Sequence, residues 1–347
     1  MYQRILILAH HGIGDVLMIL PLLKSIRKKY PKAKIIITVK STVEQSILQD
    51  TRVGDEYLYL APSKLSWIER IQLISKLRRE GIDLAISTYG INKRLSSILF
   101  TLISAKSTVG FTNGRIRIPF DIELTPTGEH KVKENLKIAG SLGIKGFNVD
   151  NEWQLNSEDI DFAENLFHEH GLTSDSTVIG VHPGCGEIEK HKRWPLDHFR
   201  NLISIVANYD YPIFTFGGPG EEYLTNYIIK GQKGRLINMA GILSLGQTAA
   251  LIKKCAIMLG GDSGLIHVAT SVKTPVIAIF GPTDPSITGP YGEHVRIIQS
   301  EQECCPCYSK KMLTGCKNPI CMQSVSVDTV WQIFQKQVQA LIQNLVI

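Results

Sequence analysis

The chain has 347 residues, of which 44% are hydrophobic and 20% are charged, and its formal net charge at pH 7 is +6. This is the composition of a soluble globular protein, and the length suits two domains of ordinary size better than one core. The apolar stretch near the N-terminus, residues 5–9, is too short for a signal peptide or a membrane span, so neither export nor membrane insertion is expected.

Positive charge is concentrated in the first half of the chain. Residues 1–150 contain 23 Lys and Arg against 13 Asp and Glu, whereas the remaining residues contain 15 against 19. This asymmetry indicates that the first half meets an anionic partner, such as an acidic lipid headgroup or a phosphorylated sugar. Because no nucleic-acid motif accompanies the charge, a nucleic acid is not expected as the partner.

Short apolar runs alternate with helical patterns through the first half. The pattern predicts strands at residues 4–9, 35–39, 56–60, 84–87 and 107–111, and helices at residues 16–30 and 67–80. Such alternation is typical of a parallel sheet covered by helices on both faces. The pattern breaks into Gly, Asn and acidic residues over 140–158, which predicts an N-terminal domain over residues 1–155 and a C-terminal domain over 156–347.

A glycine turn, His10-His11-Gly12-Ile13-Gly14-Asp15, follows the first predicted strand. It lacks the third glycine of a dinucleotide-binding turn, so a dinucleotide site is weakly supported. Asp15 lies where the next helix begins and has two interpretations. It is either an N-cap that satisfies backbone N–H groups or a general base that takes a proton from a bound hydroxyl.

The second half repeats the alternation. Apolar runs predict strands at residues 178–181, 212–216 and 236–239, a strand ending at residue 259, and a strand at 275–280. Helices are predicted at residues 196–208, 244–255, 265–271 and 327–346, and the last of them is expected to pack across the first domain. Two doubly wound domains are expected to face a central cleft that holds the ligand.

The loop after the strand at 178–181 reads His182-Pro183-Gly184-Cys185-Gly186 and is followed by a group of cations that includes Lys192 and Arg193. Glycines that admit a ligand, followed by cations, suit a diphosphate. Lys192 and Arg193 are the candidates for charge neutralisation, although such a group is also common in solvated loops. Trp194 is expected either as a core anchor or as a surface on which a base stacks.

A second glycine turn, Gly260-Gly261-Asp262-Ser263-Gly264, joins a predicted strand to a predicted helix. The free N–H groups of the first helical turn and the helix dipole favour a phosphate at this position. His267 lies one turn into the helix, where it would reach the same anion. The alternative is an ordinary strand-helix-strand crossover whose glycines serve packing alone.

Five of the seven cysteines lie between residues 304 and 321, which is not the distribution of a secreted disulfide framework and favours a reducing cytoplasm. Their spacing admits a structural zinc or iron site at Cys304, Cys307, Cys316 and Cys321. It also admits unligated or redox-paired thiols.

Taken together, these motifs resemble the signature blocks of glycosyltransferase family 9, the ADP-heptose:lipopolysaccharide heptosyltransferases. The blocks occur in family order, and they are Gly14-Asp15, His182-Pro183-Gly184, Lys192-Arg193-Trp194-Pro195, Phe216-Gly217-Gly218, Met239-Ala240-Gly241, Asp262-Ser263-Gly264 with His267, and residues 280–285.

The resemblance implies an α/β protein of the GT-B class, with two Rossmann-like domains, that inverts the anomeric centre and requires no cofactor or metal for catalysis. It implies that Asp15 is the base and that Lys192 holds the donor phosphates. The other residues expected at the donor are Gly184, Arg193, Asp262, Ser263, Gly264 and His267. Gly14, Lys93, Arg115 and Arg117 are expected on the acceptor side.

The implied donor is ADP-heptose and the implied acceptor is an anionic lipid-linked saccharide. The implied location is the cytoplasm, with peripheral contact at the cytoplasmic face of the inner membrane. Three alternatives stay open: a related GT-B transferase that uses another nucleotide sugar for capsule, O-antigen or protein glycosylation, a GT-B epimerase, and a catalytically silent binding module. Cys185-Gly186 and His10-His11 depart from the usual family pattern, which leaves the sugar and the acceptor open.

Overall fold

The computed structural model of this protein describes residues 2–9, 12–60, 66–112, 120–146, 149–307, 316 and 318–345. Contacts between Cα positions divide the chain into two compact units, Met1–Gln154 and Leu155–Ile347.

Among its described residues, the first unit contains a sheet of six strands. They are β1 (Arg4–Leu8), β2 (Lys34–Val39), β3 (Glu56–Tyr59), β4 (Leu84–Ser87), β5 (Thr108–Phe111) and β6 (Ile122–Leu124). The strand order is β3-β2-β1-β4-β5-β6, and every neighbouring pair is parallel. The helices are α1 (Ile13–Lys29), α2 (Thr42–Asp50), α3 (Trp67–Glu80), α4 (Lys93–Leu102) and α5 (Lys131–Ser141). Because helices cover the sheet, β1 and β2 read as nearly continuous runs of buried aliphatic residues.

The second unit repeats this architecture. Its strands are β7 (Ile179–His182), β8 (Ile213–Thr215), β9 (Leu236–Asn238), β10 (Ile257–Gly261), β11 (Val276–Phe280) and β12 (Val295–Gln299). They lie in the order β12-β11-β10-β7-β8-β9, again all parallel. The helices are α6 (Ser157–Glu169), α7 (Leu196–Val206), α8 (Glu222–Ile229), α9 (Leu245–Lys254), α10 (Gly264–Ser271), α11 (Pro285–Thr288), α12 (Ile320–Ser324) and α13 (Val327–Leu345), with short 3-10 helices at Glu187–Lys192 and Ala207–Tyr209.

Both sheets have the same strand order when each is numbered within its own unit. In each one the first strand lies beside the fourth, and the connections leave this central pair toward opposite edges of the sheet. In doubly wound folds the crevice beyond the carboxyl ends of such a pair is the usual ligand site. The predicted α/β class with two Rossmann-like, doubly wound units is confirmed.

The last helix contributes to the core of the second unit. Val330, Phe334 and Val338 are buried in the same apolar cluster as Trp194 and Phe199, and α13 packs against α7. The expected packing of α13 across the first unit stays a prediction.

Candidate functional site

In the second unit, the candidate residues follow the central strands β7 and β10. The loop after β7 carries Gly184, Lys192 and Arg193, whereas the turn after β10 carries Asp262 and Ser263. Because neighbouring parallel strands end at the same edge of a sheet, the fold brings the two segments together. A Cβ atom on Gly261 would lie 3.3 Å from the carbonyl oxygen of Lys192, so the two segments pass in direct contact.

Lys192 is a buried cation held by two carboxylates. Its Nζ lies 3.0 Å from Oδ2 of Asp262 and 2.8 Å from Oε1 of Glu189. The side chains of Lys192 and Asp262 are only 9% and 10% exposed. Burial disfavours the ammonium, but attraction to Asp262 and Glu189 outweighs burial and holds the pKa of Lys192 above its ordinary value. Lys192 therefore stays charged at physiological pH.

Helix α10 begins directly after this ion pair. Ser263 is the N-cap residue, yet its side chain makes no capping hydrogen bond to the helix. The N–H groups of the first turn and the positive end of the helix dipole form a favourable seat for an anionic oxygen. His267 lies on the same helix and is buried. A fixed ammonium next to a helix N-terminus is an arrangement that suits a diphosphate.

The hydroxyl of Ser263 contacts a buried histidine instead of capping α10. Nδ1 of His182 lies 3.0 Å from Oγ of Ser263, and Nε2 of His182 lies 3.2 Å from Oε2 of Glu221. An ionised carboxylate only accepts hydrogen bonds, so Nε2 is protonated and its N–H donates a hydrogen bond to Glu221. Nδ1 then accepts from the Ser263 hydroxyl when the imidazole is neutral and donates to that hydroxyl when the imidazole is charged.

Glu221 also organises the glycine loops around it. Its Oε2 accepts from the N–H of Gly218 at 2.9 Å, and its Oε1 accepts from the N–H of Gly186 at 3.4 Å. Burial raises the pKa of Glu221, but the hydrogen bond and charge of His182 and the two backbone donors outweigh burial and lower it to about 2. His182 and Glu221 thus connect the loop after β7, the loop after β8 and the start of α10.

Gly184 has no side chain, and the side chains of Glu221 and His182 occupy the space where one would lie. A Cβ atom at residue 184 would lie 2.1 Å from Oε1 of Glu221 and 2.8 Å from Nε2 of His182. Both distances are too short for two unbonded atoms, so a side chain at residue 184 would force Glu221 and His182 to move.

The two residues after Lys192 have different surroundings. The side chain of Arg193 is 12% exposed, and its Nη1 lies 3.4 Å from the hydroxyl of Tyr223. Trp194 is fully buried, and its Nε1 donates to the carbonyl oxygen of Val325 at 2.9 Å. Of the two interpretations of Trp194, the structure supports the core anchor.

In the first unit, Asp15 lies at the carboxyl end of β1. Helix α1 is capped by Gly12, so Asp15 is the third residue of the helix and not its N-cap residue. Its Oδ1 accepts from Nζ of Lys131 at 2.7 Å, and the two side chains are 33% and 26% exposed. Lys131 is the first residue of α5, which packs along α1. A carboxylate in this position, reachable by solvent and oriented by a cation, has the geometry of a general base.

The remaining acceptor-side candidates divide into two groups. Gly14 lies in the first turn of α1, and Lys93 is the first residue of α4, whose N-cap Asn92 accepts from the N–H groups of Arg94 and Leu95. Both therefore lie at the carboxyl edge of the first sheet, where Asp15 also lies. Arg115 and Arg117 fall outside the described residues.

Four residues of these sites did not emerge from the sequence as site residues. They are Lys131, Glu189, Glu221 and His182. The last was noted only as part of the His182-Pro183-Gly184 motif. Glu221 follows the Gly217-Gly218 turn after a strand, and that strand-turn-acid pattern is the signal that would have found it. Lys131 carries no local signal, because its partner is 116 positions away.

The cysteine segment was expected to hold a structural metal, and its described residues give that expectation no support. In the part of the chain that the structure describes, no group of three or more His, Cys, Asp or Glu side chains is arranged to hold a metal ion. The prediction of structural zinc or iron at Cys304, Cys307, Cys316 and Cys321 is therefore not supported. Cys321 is buried in the apolar core, and Cys304 is exposed. Burial raises the pKa of Cys307 and Cys321, and the nearby thiols of Cys304 and Cys316 raise both further.

Over the described ranges, none of the helices is both long enough and apolar enough to cross a membrane.

Comparison with known proteins decides the family. Residues 70–317, more than half of the chain, match the sequence model of glycosyltransferase family 9 (heptosyltransferase). The chain belongs to glycosyltransferase family 9. This confirms the resemblance that the motifs carried.

Among its relatives in this family is lipopolysaccharide heptosyltransferase 2 of Escherichia coli strain K12, which is 25% identical over 313 residues, 86% of this chain and 88% of the relative. A solved family 9 glycosyltransferase from Veillonella parvula has a TM-score of 0.82 at 22% identity and covers 99% of this chain and 98% of its own. The structure of E. coli ADP-heptose lps heptosyltransferase II has a TM-score of 0.75 at 21% identity, and the match covers 99% of this chain and 100% of that structure's chain. The glycosyltransferase fold thus extends over nearly the whole chain.

Proposed function

We propose that this family 9 glycosyltransferase transfers a heptose from ADP-heptose to a lipopolysaccharide core acceptor. The observation that carries the proposal is the buried Lys192–Asp262 ion pair at the start of α10, a built seat for a diphosphate. Family membership and the similarity to lipopolysaccharide heptosyltransferase 2 of E. coli support the choice of sugar and acceptor.

The second unit would hold the donor. Lys192 and the first-turn N–H groups of α10 would contact the diphosphate, and Asp262 would fix the position of the Lys192 ammonium. Gly184, Ser263, Gly264 and His267 border the same region of the sheet edge. Arg193 would also contact the donor: one guanidinium nitrogen lies near the hydroxyl of Tyr223, whereas Nε and Nη2 are buried and have no hydrogen-bond partner among the described residues.

The first unit would hold the acceptor and supply the base. Asp15 would remove the proton from the acceptor hydroxyl as the hydroxyl oxygen attacks the anomeric carbon of the donor. As that bond forms, the bond between the anomeric carbon and the β-phosphate oxygen breaks, and its electron pair leaves with ADP. Attack opposite the leaving group inverts the anomeric centre.

Charge stabilisation of departing ADP would come from the protein itself. Lys192 keeps its charge because its pKa lies above the ordinary value, and the α10 dipole adds a fixed partial positive charge. Preorganised positive charge of this kind takes the part that a divalent cation plays in other sugar transferases. The proposed reaction is therefore expected to proceed at full rate in EDTA.

The acceptor would be an anionic lipid-linked saccharide at the cytoplasmic face of the inner membrane. The excess of Lys and Arg in residues 1–150 supports an anionic ligand for the first unit. Lys93, Arg115 and Arg117 are the proposed contacts. Unchanged acceptor affinity after charge reversal at Arg115 and Arg117 would remove those two residues from the acceptor site.

Donor choice tests the proposal against transferases of other nucleotide sugars. A thermal-shift screen across ADP-, UDP-, GDP- and dTDP-linked sugars is expected to give its largest stabilisation with ADP-heptose. A larger shift with a UDP-, GDP- or dTDP-linked sugar would show that this sugar, and not ADP-heptose, is the donor. Release of free epimerised sugar without an acceptor would indicate an epimerase instead.

A further inference from the structure

Helices α3 and α4 of the first unit cover the same face of the sheet. Leu77 of α3 and Phe100 of α4 are buried in one apolar cluster with Leu6 and Leu8 of β1, two side chains that project from the same face of that strand. The opposite sides of both helices are directed away from the sheet.

That outer surface is apolar. Its exposed large hydrophobic side chains, called the apolar face below, are Trp67, Ile68, Ile71, Leu95, Ile98 and Leu102. Trp67 is 71% exposed and the other five are between 46% and 56% exposed. Spacings of three and four residues place each helix's members on one side of that helix. Clustered exposure of this kind marks an interaction surface in a soluble protein, whereas single exposed apolar residues do not.

The apolar face adjoins the edge of the sheet that carries Asp15. Helix α3 begins after β3, and α4 begins after β4, so the first turns of both helices lie at the carboxyl edge of the parallel sheet. Trp67, Ile68 and Leu95 lie in these first turns, and α1, with Asp15, begins at the same edge. A surface that docks there would present its own molecules to the edge that bears the proposed base.

The charges around the apolar face are predominantly positive. Helices α3 and α4 contain six Lys and Arg against two Glu. Both Glu have local partners, because Glu69 accepts from Ser66 and Glu80 accepts from Lys34. By contrast Arg78, Arg79 and Arg94 are exposed. Apolar residues with a Trp, bordered by arginines, match the interface of a bilayer that contains anionic headgroups.

We propose that the apolar face docks this protein onto a bilayer of anionic phospholipid. Trp67 and the aliphatic side chains would enter the headgroup region, and the arginines would contact lipid phosphates. The inference rests on the proposed function only in explaining why docking is useful: a lipid-linked acceptor in that bilayer would meet the edge that carries Asp15.

Vesicle co-sedimentation of the full chain tests docking directly. Vesicles of phosphatidylethanolamine with phosphatidylglycerol are compared with vesicles of phosphatidylcholine alone, at low and high salt. One variant carries Ile68→Gln, Ile71→Gln and Ile98→Gln, and a second carries Arg78→Glu and Arg79→Glu. The control is Val43→Gln, which changes an exposed apolar residue of α2, a helix that packs against α1.

The wild type and the control are expected to sediment with the anionic vesicles and at least tenfold less with phosphatidylcholine. The triple variant is expected to lose at least tenfold in vesicle binding while keeping its circular dichroism spectrum and its affinity for ADP. The arginine variant is expected to lose binding to anionic vesicles in particular, because the charge contribution disappears.

Wild-type protein that fails to bind anionic vesicles overturns the proposal, and so does vesicle binding that both variants retain. If the wild type is an oligomer, the triple variant is a monomer and neither binds vesicles, the apolar face is an interface with a second copy of this chain instead. Transfer to a delipidated acceptor, measured in parallel, is expected to be unchanged in the triple variant. If that transfer is absent from every form while vesicle binding follows the pattern above, the proposed function fails and docking stands.

Discussion

The ammonium of Lys131 lies 2.7 Å from the carboxylate of Asp15, and the contact joins the first turns of two helices that pack side by side. The pair is partly exposed, so its value for stability is small. Its consequence is orientation, because the contact holds the carboxylate of the proposed base in one position.

Loss of this contact is expected to slow transfer without weakening donor binding. Lys131→Met should lower kcat by about 10-fold to 100-fold, since a base that is no longer held in position works less efficiently. Lys131→Arg should retain most of the activity. Lys133→Met, at an exposed position on the same helix, is the matched control. Wild-type kcat in Lys131→Met would show that Asp15 does not depend on Lys131.

Removal of the buried cation is expected to weaken donor binding. Lys192→Ala should reduce the affinity for ADP about 10-fold to 100-fold, equal to about 1.4 to 2.7 kcal/mol, as for other charge-assisted contacts. It should also lower the unfolding temperature, because Asp262 and Glu189 lose the cation between them. Titration calorimetry with ADP measures the first effect. The control is Lys190→Ala, which removes an exposed ion pair with Glu187 and should leave the affinity for ADP unchanged. If both variants lose ADP affinity equally, the cause is the net charge of the loop and not a specific contact of Lys192.

Glu221 is expected to make stability depend on pH. Its folded pKa of about 2 lies below the ordinary value of 4.5, so the stabilisation from its charge is fully present above pH 4.5. That stabilisation is lost as pH falls from 4.5 toward 2. The free energy of unfolding of Glu221→Gln should therefore lie about 3 kcal/mol below that of the wild type at pH 7. The difference should shrink at pH 3, as measured by urea denaturation. A difference that stays constant between pH 7 and pH 3 would contradict the low pKa.

An added methyl group at Gly184 is expected to disturb the donor site. Gly184→Ala should destabilise the protein by about 1 to 3 kcal/mol, because Glu221 and His182 occupy the space that Cβ would need. ADP affinity should fall at the same time, since the loop carries Lys192. In Gly140→Ala the new Cβ meets nothing within 4 Å, so this variant of α5 should be as stable as the wild type or slightly more stable. Equal stability of the two alanine variants would show that the loop around Gly184 adapts.

Much of the fold follows from local sequence. The strands β1, β2, β4 and β11 and the helix α3 lie within about a residue of their predicted limits, because apolar runs and a capping box with Ser66 mark them clearly. Helix α1 begins at Ile13, three residues before the predicted start, since its first turn lies in a glycine turn. The strands β6 and β12 were not predicted. Each is a sheet edge with exposed residues, so its apolar pattern is weak.

The site follows from the sequence only where its residues belong to local motifs. Asp262, Ser263 and Gly264 are recognisable because a strand, a glycine turn and a helix start are consecutive in the chain. Lys131 can be assigned only from the fold, because its role depends on a partner 116 positions away that the topology brings near. Spacing along the chain likewise does not determine the surroundings of each thiol, since Cys321 is buried in an apolar core and Cys304 is exposed.

Asp15→Asn tests the proposed reaction most directly. The variant removes the carboxylate that would accept the proton and preserves its shape. With ADP-heptose and a lipopolysaccharide core acceptor, the wild type is expected to release ADP and to form a glycosidic bond of inverted anomeric configuration, as read by NMR. The variant is expected to bind ADP with unchanged affinity and to lose transfer by at least about 100-fold. Normal turnover in Asp15→Asn, or a product that retains the donor's configuration, would contradict the account.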